Sequence, residues 1–231
     1  VSFSTCMQKI VKSLSKFLDV KFLKIGYKSK RFIIYNIILM SELIPDIVIG
    51  GSPKSGTSTL YNMLATHPGI VECKSKEPFF FMDVDNPHRN KKANFHEHGL
   101  DAYRNYFPDR NADDRLWIDG TTHYLYSDTA LELFSTRPRP YHVYFMLREP
   151  ASRVYSSFQY TKNNKGAMKW DISFSRMLDL MMNDRCDEVR DCFVYESSFY
   201  SMKNEIKWSC YVNYIKKWLD QLGSDRVHII L

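Results

Sequence analysis

The chain has 231 residues, 44% of them hydrophobic and 15% aromatic, which suits one sizeable α/β domain and argues against two. Its net charge of +6 is uneven, because residues 1–31 carry eight basic residues and one acid, a net +7, which leaves −1 for the rest. The basic excess therefore belongs to a leader, and the body of the chain is not expected to bind nucleic acid.

The N-terminal part is predicted to be a basic helical leader over residues 1–45, followed by a domain over 46–231. Such a leader could contact an anionic membrane surface weakly, although a solvated basic helix is the simpler interpretation. Because the chain begins with Val1 and ends on the apolar run RVHIIL, we expect a fragment at both ends. The compartment stays open between a bacterial cytoplasm and a Golgi lumen, the latter if an N-terminal anchor is missing.

Strands and helices alternate along the predicted domain. An apolar strand at 46–50 leads into a glycine loop, and a helix begins at Thr57 and ends before Pro68–Gly69. Residues 83–98 are predicted to be a surface loop. Further strands are predicted at 115–119, 141–147 and 226–231, and further helices at 98–107, 150–162, 172–183 and 200–222. This alternation predicts an α/β fold, a three-layer parallel sheet with helices on both faces.

The stretch GGSPKSGTSTL, residues 50–60, reads as a phosphate-binding loop with an unusual lysine position. Gly51 and Gly56 have the spacing of G-x-x-x-x-G-K-[ST], but Thr57 occupies the lysine position and Lys54 lies inside the loop. The glycines let the backbone approach an anion, and the N–H groups at the helix start attract it. Hydroxyl donors are added by Ser55, Thr57, Ser58 and Thr59.

A nucleotide triphosphate fits this loop poorly. In phosphoryl-transfer loops the lysine reaches the β- and γ-phosphates, and an aspartate from another strand helps to hold magnesium. Here the third strand ends in Arg148, although Asp119 closes the second strand and could be a metal ligand. An ATP-dependent kinase and a non-catalytic nucleotide-binding module therefore stay open as alternatives to a loop for a smaller anionic group.

A second anion site is predicted in LREPASRVYSS, residues 147–157. Arg148 follows a buried strand, where parallel sheets place their ligand contacts, and Pro150 suits the first turn of a helix. Arg148 and Ser156 form a suitable clamp for a second phosphate. The alternative is that Arg148 pairs with Glu149 or another exposed acid.

Together the two motifs resemble the sulfotransferases that use 3′-phosphoadenosine 5′-phosphosulfate (PAPS). The similarity is greatest to the carbohydrate branch, which includes heparan sulfate sulfotransferases and bacterial relatives. It extends over residues 46–231 and includes KEPFFF (76–81), HGLDAYRNYF (98–107) and WLDQLGSDRVHII (218–230). The resemblance implies the sulfotransferase version of the P-loop kinase fold, PAPS as sulfuryl donor and no metal.

The resemblance also implies roles for individual residues. Lys54 would stabilise charge on the bridging oxygen as the sulfuryl group leaves. Lys54 and the loop residues Ser55, Gly56, Thr57, Ser58 and Thr59 would bind the 5′-phosphosulfate. Arg148 and Ser156 would hold the 3′-phosphate. Arg153 matches the same motif but is expected to face solvent.

The catalytic base is predicted to be Glu77, which matches the glutamate of an E-x-x-F-F stretch in the glycan branch. His123 is the second candidate, because it follows the end of the second strand. Gly120 stands where the glycan branch often has a lysine, which argues against a heparan-type active site and favours a more distant relative with another acceptor. We expect a hydroxyl acceptor, with a glycan favoured by the resemblance and by aromatics available for stacking, namely Phe79 to Phe81, Trp117, Tyr124 and Tyr160.

Overall fold

A computed structural model describes residues 44–107, 116–136, 141–164 and 166–231, so the predicted leader lies almost entirely outside the described residues. Within them, five strands form one parallel sheet in the order β2-β3-β1-β4-β5. The strands are β1 (Ile47–Gly51), β2 (Ile70–Glu72), β3 (Leu116–Asp119), β4 (His142–Met146) and β5 (Val227–Ile230).

Helices connect these strands and pack on the sheet. The α-helices are α1 (Thr57–Ala65), α2 (Phe95–His98), α3 (Asp128–Thr136), α4 (Pro150–Gln159), α5 (Phe174–Met182), α6 (Glu196–Ser209) and α7 (Val212–Leu222). Tighter 3-10 segments span Leu100–Tyr106, Tyr124–Tyr126 and Cys186–Cys192, and a π-helical turn spans Tyr160–Asn164.

The central strand shows why both faces of the sheet are covered. All of β1 is buried, and its side chains alternate between two clusters because successive residues of a strand point to opposite faces. Ile47 and Ile49 pack with Tyr61 of α1 on one face. Val48 belongs to the larger cluster on the other face, where α3 and α7 contribute Phe134 and Trp218. The prediction of a parallel sheet with helices on both faces is confirmed.

Helices α4, α5 and α6 form a separate apolar cluster beside the sheet. Its members include Val154 and Phe158 from α4, Met177 and Leu180 from α5, and Met202 from α6. Since α4 begins directly after β4, this cluster fixes the second predicted anion motif relative to the sheet.

Several predicted elements differ from the observed ones. The strand β2 and the helix α3 were not predicted, and the expected helix at 200–222 is two helices. The break comes at Cys210, whose backbone is not helical, because α6 packs on α4 and α5 while α7 packs on the sheet. The expected helix at 98–107 is a 3-10 segment that follows Gly99, a residue with positive φ.

The predicted surface loop at 83–98 is partly buried. Asn86 is 6% exposed and Asn94 is 0% exposed, and the Asn94 side chain caps α2 by accepting from the Glu97 backbone. The surface-loop prediction is therefore wrong for these residues, because their side chains replace the hydrogen bonds that water would give. Within the described residues, none of the helices has the length and hydropathy that a bilayer crossing requires.

Candidate active site

A cavity of about 420 Å³ lies at the carboxyl ends of the strands β1, β3 and β4. Ligands of parallel α/β sheets bind at this edge. The lining comes from the loop after β1 and the start of α1, from segments that follow β2 and β3, and from α4, α6 and the π-helical turn. The predicted site residues among them are Lys54, Gly56, Thr57, Ser58, Glu77, His123 and Ser156.

The phosphate loop has a backbone suited to an anion. Lys54 and Gly56 both have left-handed backbones, with φ of 68° and 87°, and no side chain caps the start of α1 at Gly56. Successive N–H groups in such a conformation, followed by a helix N-terminus, form a concave anion site. Ser55 does not line the cavity, because its hydroxyl bonds to the Ser52 hydroxyl at 2.7 Å. Thr59, which follows the cavity residue Ser58 in α1, is exposed and does not line the cavity either.

The lysine of the loop is held against an aromatic ring. The ammonium nitrogen of Lys54 lies 3.6 Å from the centre of the Tyr160 ring, and both residues line the cavity. A cation at this distance from an aromatic face is attracted by the negative potential of the ring. The contact joins the loop after β1 to the turn that follows α4.

The second anion motif lies on the adjoining side. Arg148 is exposed beside the loop, and its Nη1 donates to the Lys54 carbonyl at 3.4 Å, whereas Ser156 lines the cavity. Glu149 caps α4 by accepting from the backbone N–H groups of Ala151 and Ser152. Hydrogen bonds from Ser152 lower the pKa of Glu149. The carboxylate of Glu149 is thus occupied by the helix start.

Arg153 is buried and does not face solvent, so that expectation is wrong. Its Nη1 lies 2.7 Å from Oε2 of Glu205, and its Nη2 donates to the Glu205 carbonyl and to Ser209. Glu205 also accepts from the Ser157 hydroxyl at 2.5 Å and lines the cavity. Burial raises the pKa of Glu205, while the guanidinium of Arg153 acts in the opposite direction. Arg153 is buried because it forms this ion pair with Glu205, which joins α4 to α6.

The predicted base Glu77 lines the cavity next to a second lysine. Lys76 Nζ lies 2.9 Å from Glu77 Oε1, which also accepts from the Thr122 hydroxyl at 3.4 Å. Gly120 makes room for this arrangement, because a Cβ there would lie 3.1 Å from Cγ of Lys76 and 2.7 Å from Cδ2 of Tyr61. The side chain of Lys76 therefore packs closely against the backbone at position 120.

His123 lies deeper in the same cavity. It is 8% exposed, and its ring packs 4.3 Å from the ring of His88 and 5.6 Å from that of Phe79. Nε2 of His88 is 2.7 Å from the Ser201 hydroxyl on α6. The segment that was predicted to be a surface loop therefore brings a second imidazole into the cavity.

Asp119, the possible metal ligand, does not line the cavity. It is 0% exposed and accepts from the hydroxyls of Tyr103 and Tyr124 and from the Thr121 backbone, at 2.6, 3.0 and 2.8 Å. Burial raises the pKa of Asp119 to about 6, against the effect of these donors. In the part of the chain that the structure describes, no group of three or more His, Cys, Asp or Glu side chains is arranged to hold a metal ion.

The aromatic residues proposed for sugar stacking divide into two sets. Phe79 and Tyr160 line the cavity. The others are core residues, each no more than 1% exposed: Phe80, Phe81, Trp117 and Tyr124. For these four the stacking role is wrong, because the sheet and its covering layers enclose them.

Several cavity residues were not predicted as site residues: Lys76, His88, Ser157, Thr161, Ser198, Ser201 and Glu205. Ser157 adjoins a predicted residue, and Lys76 adjoins the predicted base, so sequence proximity could have indicated both. Ser198, Ser201 and Glu205 reach the cavity only because α6 packs against α4.

Comparison with known proteins agrees with this geometry. The model of a family described as "Sulfotransferase family" matches residues 45–143. A human bifunctional heparan sulfate N-deacetylase/N-sulfotransferase 3 is 26% identical over 138 residues, 59% of this chain and 15% of that protein. A mouse heparan sulfate glucosamine 3-O-sulfotransferase 5 is 22% identical over 189 residues, 82% of this chain and 48% of that protein. This chain thus spans less than half the length of either relative.

A solved structure supports the fold. The crystal structure of a sulfotransferase from Alicyclobacillus acidocaldarius superimposes with a TM-score of 0.61 at 23% identity, covering 81% of this chain and 73% of that one. At this identity the likeness is evidence of the fold alone, and it confirms the expected α/β architecture. The family match, the relatives and the fold agree that this chain is similar to sulfotransferases.

Proposed function

We propose that this protein transfers a sulfuryl group from PAPS to a hydroxyl group, and that the acceptor is a glycan. One observation carries the proposal: a single cavity collects an anion-binding helix start, a lysine inside the loop and a half-buried carboxylate. The family match over residues 45–143 supports the reaction class. The glycan acceptor is supported only by the distant heparan sulfate enzymes.

The donor end of the cavity suits the 5′-phosphosulfate. The helix start at Gly56 to Ser58 would bind the phosphate through backbone N–H groups, and Lys54 would offset the charge that develops on the bridging oxygen. The left-handed backbones of Lys54 and Gly56 support this assignment, because such conformations occur in concave anion sites made of backbone N–H groups. When bound, PAPS supplies the sulfuryl group and leaves as 3′-phosphoadenosine 5′-phosphate.

The 3′-phosphate is assigned to Arg148 and Ser156. Ser156 is in the cavity lining, whereas Arg148 is an exposed residue outside the lining whose guanidinium contacts the backbone of the loop. An exposed arginine with a fork of donors can turn toward a phosphate at low cost. The roles of both residues are part of the proposal.

Glu77 is assigned as the base that accepts the proton of the acceptor hydroxyl. Its carboxylate lines the cavity and is oriented by Lys76 and Thr122, as a positioned base requires. His123 is the alternative base, and its imidazole is packed between the rings of Phe79 and His88.

The donor assignment can be tested by calorimetry. We expect 3′-phosphoadenosine 5′-phosphate to bind in the micromolar range with EDTA present, and ATP and ADP to bind far more weakly. Arg148→Ala should weaken the binding by roughly tenfold to a hundredfold, because a hydrogen-bonded ion contact is lost. The exposed Arg104, which does not line the cavity, provides the control variant Arg104→Ala. Tight ATP binding that appears only when magnesium is added would contradict the proposal and favour a kinase.

The acceptor assignment needs a separate experiment. Unsulfated heparosan, a small phenol and a simple alcohol are compared as acceptors of radiolabelled sulfate from PAPS. Preferential labelling of the polysaccharide is the expected result. Labelling of the phenol alone would support the proposed sulfuryl transfer and contradict the proposed glycan acceptor.

A further inference from the structure

We propose that Tyr160 is a positioning residue that holds the ammonium group of Lys54 at the donor end of the cavity. The inference rests on the proposed function, because it gives the loop lysine its role in sulfuryl transfer. The observation behind it is the 3.6 Å distance between Lys54 Nζ and the centre of the Tyr160 ring.

The backbone around both residues is specialised. Lys54 has a left-handed backbone inside the loop, so its side chain leaves the loop in a direction that an ordinary strand or helix would not allow. Tyr160 begins the π-helical turn Tyr160–Asn164, and its N–H is shared between the carbonyls of Ser156 and Ser157. Single π-turns at the end of an α-helix often mark functional sites.

A lysine inside a phosphate loop needs support for its long side chain. Four rotatable bonds let the ammonium of Lys54 sample many positions, and fixing them costs conformational entropy. The face of Tyr160 attracts the cation through the negative potential of the ring. The ring therefore restricts the ammonium of Lys54 at the donor end of the cavity, where it can offset the negative charge that develops during the transfer.

The contact also joins the two donor motifs. Lys54 belongs to the loop between β1 and α1, whereas Tyr160 follows the helix that carries Ser156. Arg148 adds a second link, since it donates to the Lys54 carbonyl. The contact thereby links the turn at Tyr160–Asn164 to the position of the Lys54 side chain.

Kinetics of ring variants give the first test. Tyr160→Leu should lower kcat by between about threefold and thirtyfold, with a small change in KM for the donor, while Tyr160→Phe stays within about twofold of the wild type. Tyr155→Leu changes an exposed tyrosine of the same helix that does not line the cavity, and it should leave kcat unchanged. Equal kcat values for the Leu and Phe variants would overturn the proposal.

Fluorinated phenylalanines at position 160 separate electrostatics from shape. Each added fluorine weakens the negative ring face with little change in packing, so log kcat should fall steadily along the series. A purely structural role predicts no such trend, and its absence would overturn the proposal even if Tyr160→Leu failed to fold.

The positioning role of Tyr160 can also be tested without any substrate, and therefore independently of the reaction. Acetylation of Lys54 by an N-hydroxysuccinimide ester is followed by mass spectrometry, with the exposed Lys216 as internal reference. Tyr160→Leu should raise the Lys54 rate relative to Lys216 by about fivefold, whereas Tyr160→Phe and Tyr155→Leu should not. If PAPS is not used but this change is seen, the proposed function fails and the positioning role stands. An unchanged ratio overturns the positioning role alone.

Discussion

At the scale of single residues, the position of one carboxylate depends on a glycine 43 positions away. Glu77 is held by Lys76, and the stem of Lys76 packs against the backbone of Gly120. The Gly120 N–H also donates to the Lys76 carbonyl at 3.0 Å. A side chain at position 120 would therefore disturb both the fold and the proposed base.

Gly120→Ala tests this dependence. Its Cβ would lie 2.7 Å from the buried ring of Tyr61, so we expect a loss of about 1–3 kcal/mol in the free energy of unfolding, measured by urea denaturation. Ala65→Gly, at the end of α1, provides a comparison in which no overpacking occurs. A stability equal to that of the wild type would show that Tyr61 and Lys76 move aside freely.

The choice between the two candidate bases is also a question about single residues. Glu77→Gln keeps the size of the side chain and removes its ability to accept a proton, so kcat should fall by at least about a hundredfold. His123→Asn should lower kcat by less than about tenfold. Binding of 3′-phosphoadenosine 5′-phosphate by both variants serves as the folding control. The opposite order of the two kcat values would assign the base to His123.

At the scale of elements, the buried pair of Arg153 and Glu205 joins α4 to α6. Both side chains are almost inaccessible to water, and the guanidinium also binds the Glu205 carbonyl and the Ser209 hydroxyl. The pair fixes the face of α6 that supplies Ser198, Ser201 and Glu205 to the cavity.

A double-mutant cycle measures the interaction energy between Arg153 and Glu205. Arg153→Met should destabilise the fold by about 3–5 kcal/mol, because it leaves the Glu205 carboxylate buried without its cation. Adding Glu205→Leu should recover a large part of that loss, giving a coupling above about 1 kcal/mol. The exposed pair Lys216–Asp220 is the control, with a coupling below about 1 kcal/mol. Additive effects at Arg153 and Glu205 would contradict the structural role of the pair.

Elements whose signals are local could be predicted from the sequence. One apolar run, two glycines and the helical pattern after Thr57 predict the order of β1, loop and α1. The strands β3, β4 and β5 were predicted for the same reason. In contrast, β2 has three residues and an exposed Glu72, so its pairing with β3 leaves almost no periodic pattern.

The site was predictable where its residues follow a strand or begin a helix. Lys54, Thr57 and His123 are in such positions and line the cavity. His88 and Ser201 come together from a loop and a distant helix, through contacts that no spacing in the sequence encodes. The burial of Arg153 has the same cause, because its partner Glu205 is 52 positions away.

At the scale of the whole molecule, Asp119 connects the sheet to the aromatic core. It lies at the end of β3 and accepts hydrogen bonds from Tyr103 and Tyr124, which belong to the main apolar cluster. Burial raises its pKa to about 6 from the usual 3.8. Between these values the folded protein binds more protons at Asp119 than the unfolded chain does, so its contribution to stability falls as the pH rises and is constant above about 6.

This dependence can be isolated by comparing the wild type with Asp119→Asn. The difference in the free energy of unfolding, wild type minus variant, should decrease by on the order of 3 kcal/mol between about pH 4 and about pH 6, because only the wild type must ionise a buried group. Urea denaturation at several pH values provides the measurement, with the exposed Asp101→Asn as control. A difference that does not vary with pH would show that Asp119 titrates normally.

The domain boundaries stay predictions at this scale. Residues 1–43 lie outside the described residues, so the basic leader and its weak membrane contact are not tested by the structure. The family match begins at residue 45, close to the predicted start of the domain at 46.

The most direct test of the account is transfer of radiolabelled sulfate from PAPS to unsulfated heparosan, in EDTA, by the wild type and by Lys54→Ala. We expect labelled polysaccharide with the wild type and a rate lower by at least about a hundredfold with the variant, because the charge on the bridging oxygen is no longer offset. Equal rates for the two proteins would contradict the role of Lys54. No transfer to any acceptor by a wild type that binds 3′-phosphoadenosine 5′-phosphate would contradict the proposed activity itself.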